Sequence, residues 1–296
     1  MRVSDDARKS VVFFGIDGEG VDVVDYGGTG FLCADMGEGI AIPLLVTCRH
    51  VAQLLSGHEQ FYVRANTRGG ESYTLPVSKM DWRYHPDSTV DLASVVLVLP
   101  NHTFDVIYYR FDPEFVILGD SGRRQLMCGD VINLIGLFRL HAGKQRNIPF
   151  VHTGHLAALS DSSERIPVRD RTTNKVVPAE VHLVEAQTLD GLSGSPVFAH
   201  EMVSLGNFVI GREPDQHPYA FGKVRLLGIY SGSWDGEPGE ILASDKNLRG
   251  NVRVPVGVGT VVPADKLMEL VRDHPQMKED RKTLMQAILA ERSASR

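Results

Sequence analysis

The sequence predicts an all-β fold that ends in a short helical segment. Short apolar runs recur along the 296 residues, and most of them are bounded by Gly, Asn, Asp or Pro. The 29 glycines and 15 prolines are spread through the chain in small clusters, which suits many strands joined by tight turns. Helical periodicity is convincing only after Pro263, where Leu267, Leu270 and Val271 share one face. Strands at this spacing are typical of a β-barrel or a β-sandwich.

The runs with the strand pattern are 10–14, 30–33, 40–47, 60–63, 92–99, 131–135, 181–185, 195–198, 224–230 and 256–262. In the helical segment, Pro275 interrupts the pattern before a second apolar stripe begins. We expect residues 264–272 to dock on the strands, whereas docking and protrusion both stay open for 276–292. The polar stretches 160–179 and 200–223 predict long surface loops, which are often functional.

Composition and charge exclude several classes of protein. The formal net charge is -6 and no run of Lys and Arg alternates with aromatic residues, so nucleic acid is not an expected partner. The apolar run at 11–15 follows acidic residues and is too short for a secretory signal, and no run is long enough to cross a bilayer. We therefore expect a soluble, cytoplasmic protein with no membrane partner.

The three cysteines show no CxxC spacing, so the sequence predicts buried free thiols rather than a disulfide framework or a zinc site. No cofactor and no metal is expected.

His50 is the candidate general base. It follows the apolar strand Leu44-Leu-Val-Thr47 after a short polar turn, and the end of a strand holds a side chain in a rigid position. Of the other histidines, His58, His85, His152 and His155 are interpreted as half-buried structural residues.

Asp91 is the candidate acid, because it directly precedes the apolar run 92–99. A carboxylate at the entrance to a buried strand is partly desolvated and needs a hydrogen-bond partner, such as an imidazole N–H. By itself, an Asp in this position is also an ordinary turn residue.

Two serines compete for the role of nucleophile. Gly191-Leu-Ser193-Gly-Ser-Pro196 flanks Ser193 with glycines, which allow a sharp turn that presents backbone N–H groups. Taken alone, this stretch is also consistent with an ordinary turn. The second serine, Ser121, lies in Gly119-Asp-Ser-Gly122, a tetrapeptide that often surrounds the nucleophile of serine proteases.

Together these stretches resemble the trypsin-like, chymotrypsin-fold serine peptidases, most closely their bacterial intracellular members. The matching segments are Val46-Thr-Cys-Arg-His50-Val, Asp91-Leu-Ala93 and Gly191-Leu-Ser193-Gly-Ser-Pro196, in the family's order. Gly28-Thr-Gly-Phe-Leu32, Leu227-Gly-Ile-Tyr-Ser231 and Gly259-Thr-Val-Val-Pro263 resemble further strands of the family. The resemblance covers about residues 26–272.

The resemblance implies two six-stranded antiparallel β-barrels followed by a C-terminal helical tail. It divides the chain into an N-terminal strand or arm at 1–25, a first barrel at 26–118 with His50 and Asp91, a second barrel at 119–262 with Ser193, and a tail at 263–296. Ser121 lies too close to Asp91 to leave room for the second barrel. Residues 119–122 are therefore expected to form a turn between the barrels, with Ser121 as a decoy.

The same resemblance implies the chemistry. His50 takes a proton from Ser193, Asp91 orients the imidazole, and the backbone N–H groups of Gly191 and Ser193 form the oxyanion hole. The implied substrate-binding residues are Gln187, Thr188, Ser231, Gly232 and Ser233. The implied partner is a protein or peptide substrate. Asp190 is expected at the rim of the pocket rather than at its base, so a preference for Lys or Arg is not predicted.

Two departures from the family pattern bear on activity. Leu192 stands where the digestive enzymes have an acid that pairs with a new N-terminus on activation, and Ser195 stands in place of a glycine. The apolar residue at 192 predicts a side chain packed under the loop. It also predicts a site controlled by a tail, a loop or a regulatory protein partner. Two alternatives stay open: a non-catalytic binding module, and an esterase or other acyl hydrolase on the same fold.

Overall fold

The structure is a computed structural model that describes residues 5–19, 23–36, 41–123, 125–160, 163–187, 189–200, 224–236 and 254–294. Thr188 lies outside these residues, as does the predicted loop 200–223 except for His200, which ends a strand.

The helices are α1 (Asp5–Lys9), α2 (Arg49–Ser56), α3 (Gly119–Arg123), α4 (Ala264–Asp273) and α5 (Pro275–Ala294). The strands are β1 (Val11–Asp17), β2 (Val24–Asp35), β3 (Ile42–Thr47), β4 (Phe61–Asn66), β5 (Ser72–Val77), β6 (Arg83–Tyr84), β7 (Ala93–Val96), β8 (Tyr109–Phe111), β9 (Val131–Gly136), β10 (Phe150–Ala158), β11 (Ile166–Arg169), β12 (Val176–Ala179), β13 (His182–Glu185), β14 (Pro196–His200), β15 (Val224–Gly236) and β16 (Val254–Pro263).

The C-terminal half forms a closed six-stranded barrel. Its strands follow the order β10-β13-β16-β15-β14-β9, and each pairs antiparallel with its neighbours. Leu134, Leu156, Val184, Val197 and Leu227 are fully or almost fully buried and belong to its core. The predicted all-β class and a six-stranded second barrel are therefore confirmed.

The N-terminal half has eight strands rather than the predicted six. Seven follow the order β5-β4-β1-β2-β3-β7-β6, and β8 pairs parallel with β2. The additional strands β6 and β8 are only two and three residues long, too short to show an apolar period. Among the described strands, this pairing does not close into a ring. β1, within the segment 1–25 predicted as an N-terminal strand or arm, lies between β2 and β4 and is an interior strand of the sheet.

Aromatic side chains pack where the two halves meet. Phe198 of β14 contacts Phe31 of β2 and Tyr109 of β8 edge to face, with ring centroids 6.5 and 5.1 Å apart. Edge-to-face pairs add to the burial of apolar area, so this contact stabilises the junction between the two halves.

The C-terminal helices dock on the N-terminal half. Asp35 at the end of β2 is fully buried and pairs with Arg272 of α4 at 2.9 Å and with Arg281 of α5 at 2.6 Å. Arg83 of β6 binds Asp280 through two nitrogens, and Met277 is fully buried. The segment 276–292 is therefore docked over its first turns. None of the helices in the described part of the chain has the length and apolar character that a membrane crossing requires.

Residues 119–122 belong to helix α3 rather than to the predicted turn. The backbone N–H of Gly119 donates to Asp265 of α4 at 2.7 Å, and Arg123 pairs with the same carboxylate at 2.6 Å and with Glu180 at 3.3 Å. Through these contacts, residues outside the segment bond the backbone N–H at the start of α3 and the side chain at its end. A helical turn therefore forms where the local sequence favours a β-turn. The segment joins the two halves, as predicted, and ties them to α4.

The three cysteines are free. Cys33 and Cys48 are buried as predicted, but Cys128 is exposed, so that part of the prediction is wrong. Cys128 precedes Gly129, which has a positive φ of 97° at the turn before β9, and a turn at a strand entrance leaves its side chains on the surface.

Candidate active site

His50 stands in the first turn of α2, directly after strand β3. β3 lies between β2 and β7 in the sheet, so the start of α2 is held by paired backbone on both sides. The neighbouring Arg49 donates to the backbone carbonyl oxygens of His85, Asp87 and Val90, the last two at 3.2 and 3.3 Å. These bonds tie α2 to the loop that carries Asp91.

His50 and Asp91 form a doubly hydrogen-bonded pair. His50 Nδ1 lies 2.7 Å from Asp91 Oδ2, and the His50 backbone N–H donates to Asp91 Oδ1 at 3.0 Å. The hydroxyl of Ser231 donates to Oδ2 at 2.5 Å. Burial raises the pKa of Asp91, but the charge of His50 and the hydrogen bonds from His50 and Ser231 outweigh burial, so the pKa of Asp91 lies below its ordinary value.

The ionised carboxylate determines which nitrogen of His50 is basic. A carboxylate only accepts hydrogen bonds, so Nδ1 carries the hydrogen and Nε2 has a lone pair that can accept a proton. An imidazole held in this way can act as a general base.

Ser193 lies in a tight loop shaped by two glycines with positive φ. Gly191 has φ 97° and Gly194 has φ 91°. Residues other than glycine rarely adopt this region of backbone conformation. A Cβ on Gly194 would overlap the carbonyl oxygen of Thr29 and the hydroxyl of Thr47. The loop therefore packs against β2 and β3 of the other half with no space for a side chain at 194.

Thr29 of β2 holds this loop from the N-terminal half. Its hydroxyl donates to the carbonyl of Gly191 at 2.7 Å and accepts from the backbone N–H of Leu137 at 3.0 Å. Its own backbone N–H donates to the carbonyl of Ser193 at 3.0 Å. The sequence by itself assigns Thr29 only to a strand. The available signal is its position between two glycines, because Thr29 has the one polar side chain in Gly28-Thr-Gly30.

The predicted oxyanion donors are the backbone N–H groups of Gly191 and Ser193. Within the described residues neither group donates a hydrogen bond to the protein, whereas the N–H of Gly194 donates to Tyr230 and that of Ser195 to Leu192. Leu192 is fully buried, as predicted from its apolar character. Ser195 is also fully buried, and its hydroxyl meets no partner among the described residues.

The Ser193 hydroxyl contacts the backbone of strand β15. It donates to the carbonyl oxygen of Ser231 at 3.3 Å, and in the described structure it forms no hydrogen bond with His50. The structure thus joins His50, Asp91 and the Ser231 hydroxyl in one hydrogen-bonded chain, with Ser193 attached to the Ser231 backbone. Ser231 was predicted to bind substrate. Its contact with Asp91 was not anticipated.

A pocket of about 180 Å³ adjoins this chain of contacts. Ser231 and Ser233 line it, as does Thr260, whose hydroxyl donates to the carbonyl of Gly232 at 3.1 Å; Gly232 itself is not a lining residue. Gln187, also predicted to bind substrate, is exposed and does not line this pocket. Asp190 is exposed, as expected for a residue at the rim.

Cys48, His50 and Asp91 bring potential metal-binding atoms within 4.8 Å of one another. Burial, and then the charge of Asp91, raises the pKa of the Cys48 thiol well above its ordinary value, and Sγ lies 3.1 Å from the carbonyl of Tyr230. A metal binds the thiolate rather than the thiol, so this environment suits a buried structural cysteine.

The match with known proteins agrees with this geometry. A family model described as the trypsin-like peptidase domain matches residues 28–206, more than half of the chain. The chain belongs to this family, and it is accordingly a trypsin-like serine peptidase.

Solved structures of proteases are also similar to this chain. The apo protease domain of MamO from Magnetospirillum magneticum is 16% identical with a TM-score of 0.48, and the match covers 90% of this chain and 98% of that chain. The active form of the Rv3671c protease from M. tuberculosis is 17% identical with a TM-score of 0.47, covering 90% of this chain and 80% of that chain. No curated protein matches the sequence.

Proposed function

We propose that this chain is an endopeptidase that cleaves peptide bonds through an acyl-enzyme formed on Ser193. The observation that carries the proposal is the ionised Asp91, which accepts from both the ring and the backbone of His50 and leaves Nε2 as the base beside the Ser193 loop. Family membership supplies the reaction class, and the positions of the three groups support their roles.

The proposed reaction begins when the Ser193 hydroxyl leaves the carbonyl of Ser231 and turns toward His50. Nε2 accepts the hydroxyl proton as Oγ attacks the substrate carbonyl carbon, and the C=O electron pair moves onto its oxygen. The C–N bond then breaks, and the amine leaves with the proton from Nε2. Water repeats the sequence on the ester and releases the acid.

The oxyanion would bind the N–H groups of Gly191 and Ser193, which donate to no other group in the described structure. Losing one such donor typically raises the barrier by about 2.7–4 kcal/mol. The side chain of Leu192, buried beneath the loop, supports a loop that is formed on folding rather than by pairing of an acid with a new N-terminus.

Labelling with a fluorophosphonate, followed by peptide mapping, tests the assignment. We expect the label on Ser193. Ser193→Ala should abolish labelling and turnover, while Ser121→Ala, in α3, should leave both unchanged. A label on Ser121, or an unlabelled wild-type chain, would refute the proposal, and the second result would favour a non-catalytic binding module.

Digestion of a peptide library with mass-spectrometric detection separates an endopeptidase from an esterase. Cleavage of internal peptide bonds that disappears in Ser193→Ala supports the proposal. Hydrolysis of simple esters without any peptide cleavage would assign the same residues to an acyl hydrolase instead.

A further inference from the structure

Strand β15 has an open edge beside Ser193. Its last partner in β14 is Pro196, which pairs with Ile229, whereas pairing with β16 on the other side continues to Gly236. β-bulges interrupt the pairing with β16 between Tyr230 and Gly232 and between Ser233 and Asp235. The carbonyl of Ser231 accepts from the Ser193 hydroxyl and that of Ser233 from Arg171, so both bind groups outside β16, and beyond Ile229 none of the described strands pairs with the other side of β15. Such an edge can bind an extended peptide as an added strand.

The position of a peptide along this edge rests on the proposed function, which places the cleaved bond at Ser193. Because Ser193 Oγ is 3.3 Å from the carbonyl of Ser231, the residue whose carbonyl is attacked would place its own N–H near Ser231. Strands repeat every two residues, so the residue two positions earlier in the peptide would bring its N–H to the carbonyl of Ser233.

The carbonyl of Ser233 already has a partner from the protein itself. Nη2 of Arg171, in the loop between β11 and β12, donates to it at 2.8 Å and lies 3.4 Å from the Ser233 hydroxyl. The guanidinium also covers the strand, since a Cβ on Gly232 would come within 2.5–2.7 Å of three of its atoms. Nη2 of Arg171 thus occupies the position beside the Ser233 carbonyl that the N–H of a paired peptide would take.

The β11–β12 hairpin is anchored on the opposite side of the cleft as well. The hydroxyl of Thr172 donates to Gln53 at 2.8 Å, and Gln53 lies on α2, the helix that carries His50. Within the hairpin, Asp170 accepts from the backbone N–H of Thr172 at 2.8 Å and from the hydroxyl of Thr173 at 2.6 Å. The tip is therefore preformed, and it bridges the two halves of the molecule across the cleft.

We propose that Arg171 is a specificity-determining residue that closes the edge of β15 beyond Ser231. With Arg171 on Ser233, the site binds the substrate residue next to the cut but gains no backbone pairing from the residue two positions before it. A longer substrate must first displace the guanidinium, which consumes the energy that the added hydrogen bond would supply.

The test compares substrates of two lengths on the full chain. The probes are the thiobenzyl esters of acetyl-Ala and of acetyl-Ala-Ala-Ala. For the wild type we expect nearly equal kcat/KM values. In Arg171→Ala the tripeptide ester should gain about two- to tenfold, the effect of one net hydrogen bond, while the short ester is unchanged. Lys175→Ala removes an exposed cation from the same hairpin and should behave as the wild type.

A second variant tests whether the effect of Arg171→Ala comes from a local disturbance at the substituted residue. Thr172→Val breaks the contact with Gln53 but retains Arg171, so it should increase the length dependence in the same direction by a smaller factor. Equal ratios for the two esters in the wild type and in both variants, with unchanged melting temperatures, would overturn the proposal.

A binding measurement separates this inference from the proposed function. Binding of fluorescein-labelled Ala-Ala-Ala-Ala to the Ser193→Ala protein, with and without Arg171→Ala, is measured by titration with fluorescence anisotropy as the readout. Tighter binding after removal of Arg171 supports closure of the edge even if fluorophosphonate never labels Ser193, and equal binding refutes it. Absence of labelling alone refutes the proposed catalysis and leaves this result standing.

Discussion

Replacing Thr29 with valine should weaken both the fold and the active site, because the two side chains have the same shape and only the hydroxyl is lost. The buried N–H of Leu137 loses its acceptor, and an unpaired buried donor destabilises by about 1–3 kcal/mol. The carbonyl of Gly191 loses a donor that contributes about 0.5–1.5 kcal/mol. Together we expect the free energy of unfolding to fall by about 1.5–4.5 kcal/mol.

The same change should lower kcat more than it changes KM. The Thr29 hydroxyl anchors the carbonyl of Gly191, and this fixes the adjoining backbone, where the N–H of Gly191 in the preceding peptide group would stabilise charge that develops only in the transition state. Misaligning an oxyanion donor removes part of the transition-state stabilisation that deleting it would remove. We therefore expect kcat to decrease about tenfold. Urea unfolding followed by fluorescence gives the stability, and hydrolysis of acetyl-Ala thiobenzyl ester gives kcat and KM.

Thr29→Ser is the matched control, because it retains the hydroxyl and removes only a methyl group. It should keep most of the wild-type kcat. If the valine and serine variants show the same kcat and the same stability, the hydroxyl does not position the loop and the reasoning fails.

Asp35→Asn should lower the free energy of unfolding by about 3 kcal/mol, because it leaves Arg272 and Arg281 without the buried carboxylate that holds α4 and α5. Asp5→Asn, which removes an exposed ion pair, should change it by only about 0–1 kcal/mol, and equal effects in urea unfolding would contradict the docking role. Burial lowers the pKa of His182 from 6.5 to about 3, so the unfolded chain binds more protons between these values and stability falls as the pH drops from 6.5 toward 3, by up to about 1.4 kcal/mol per pH unit. His182→Asn should flatten this part of the profile measured by urea unfolding at several pH values, and an unchanged slope would argue against the assignment.

The candidate catalytic residues were accessible from sequence because each sits in a local pattern. His50 follows a strand end, Asp91 opens a strand, and Ser193 lies between glycines whose positive φ the tight loop requires. The turn chemistry and the alternation of apolar residues extend over only a few positions, so they can be read without knowing the partner strands.

Thr29, the Ser231 hydroxyl and Arg171 were not recognised as parts of the site. Each acts on a residue far along the chain: Thr29 on Gly191, 162 positions away, Ser231 on Asp91, 140 away, and Arg171 on Ser233, 62 away. No local pattern distinguishes a strand threonine or a hairpin arginine that makes such a contact from one that faces solvent.

The amino-acid sequence on its own determined the β class, the helical end and the residue types that can carry acyl transfer, because periodicity and turn preference are properties of neighbouring residues. Only the tertiary structure decided that the N-terminal sheet has eight strands, that the last helix docks on Asp35, and that Arg171 of the β11–β12 hairpin binds the carbonyl of Ser233. These features depend on how two sheets pack against each other, and the free energy of that packing is shared among residues that are distant in the chain.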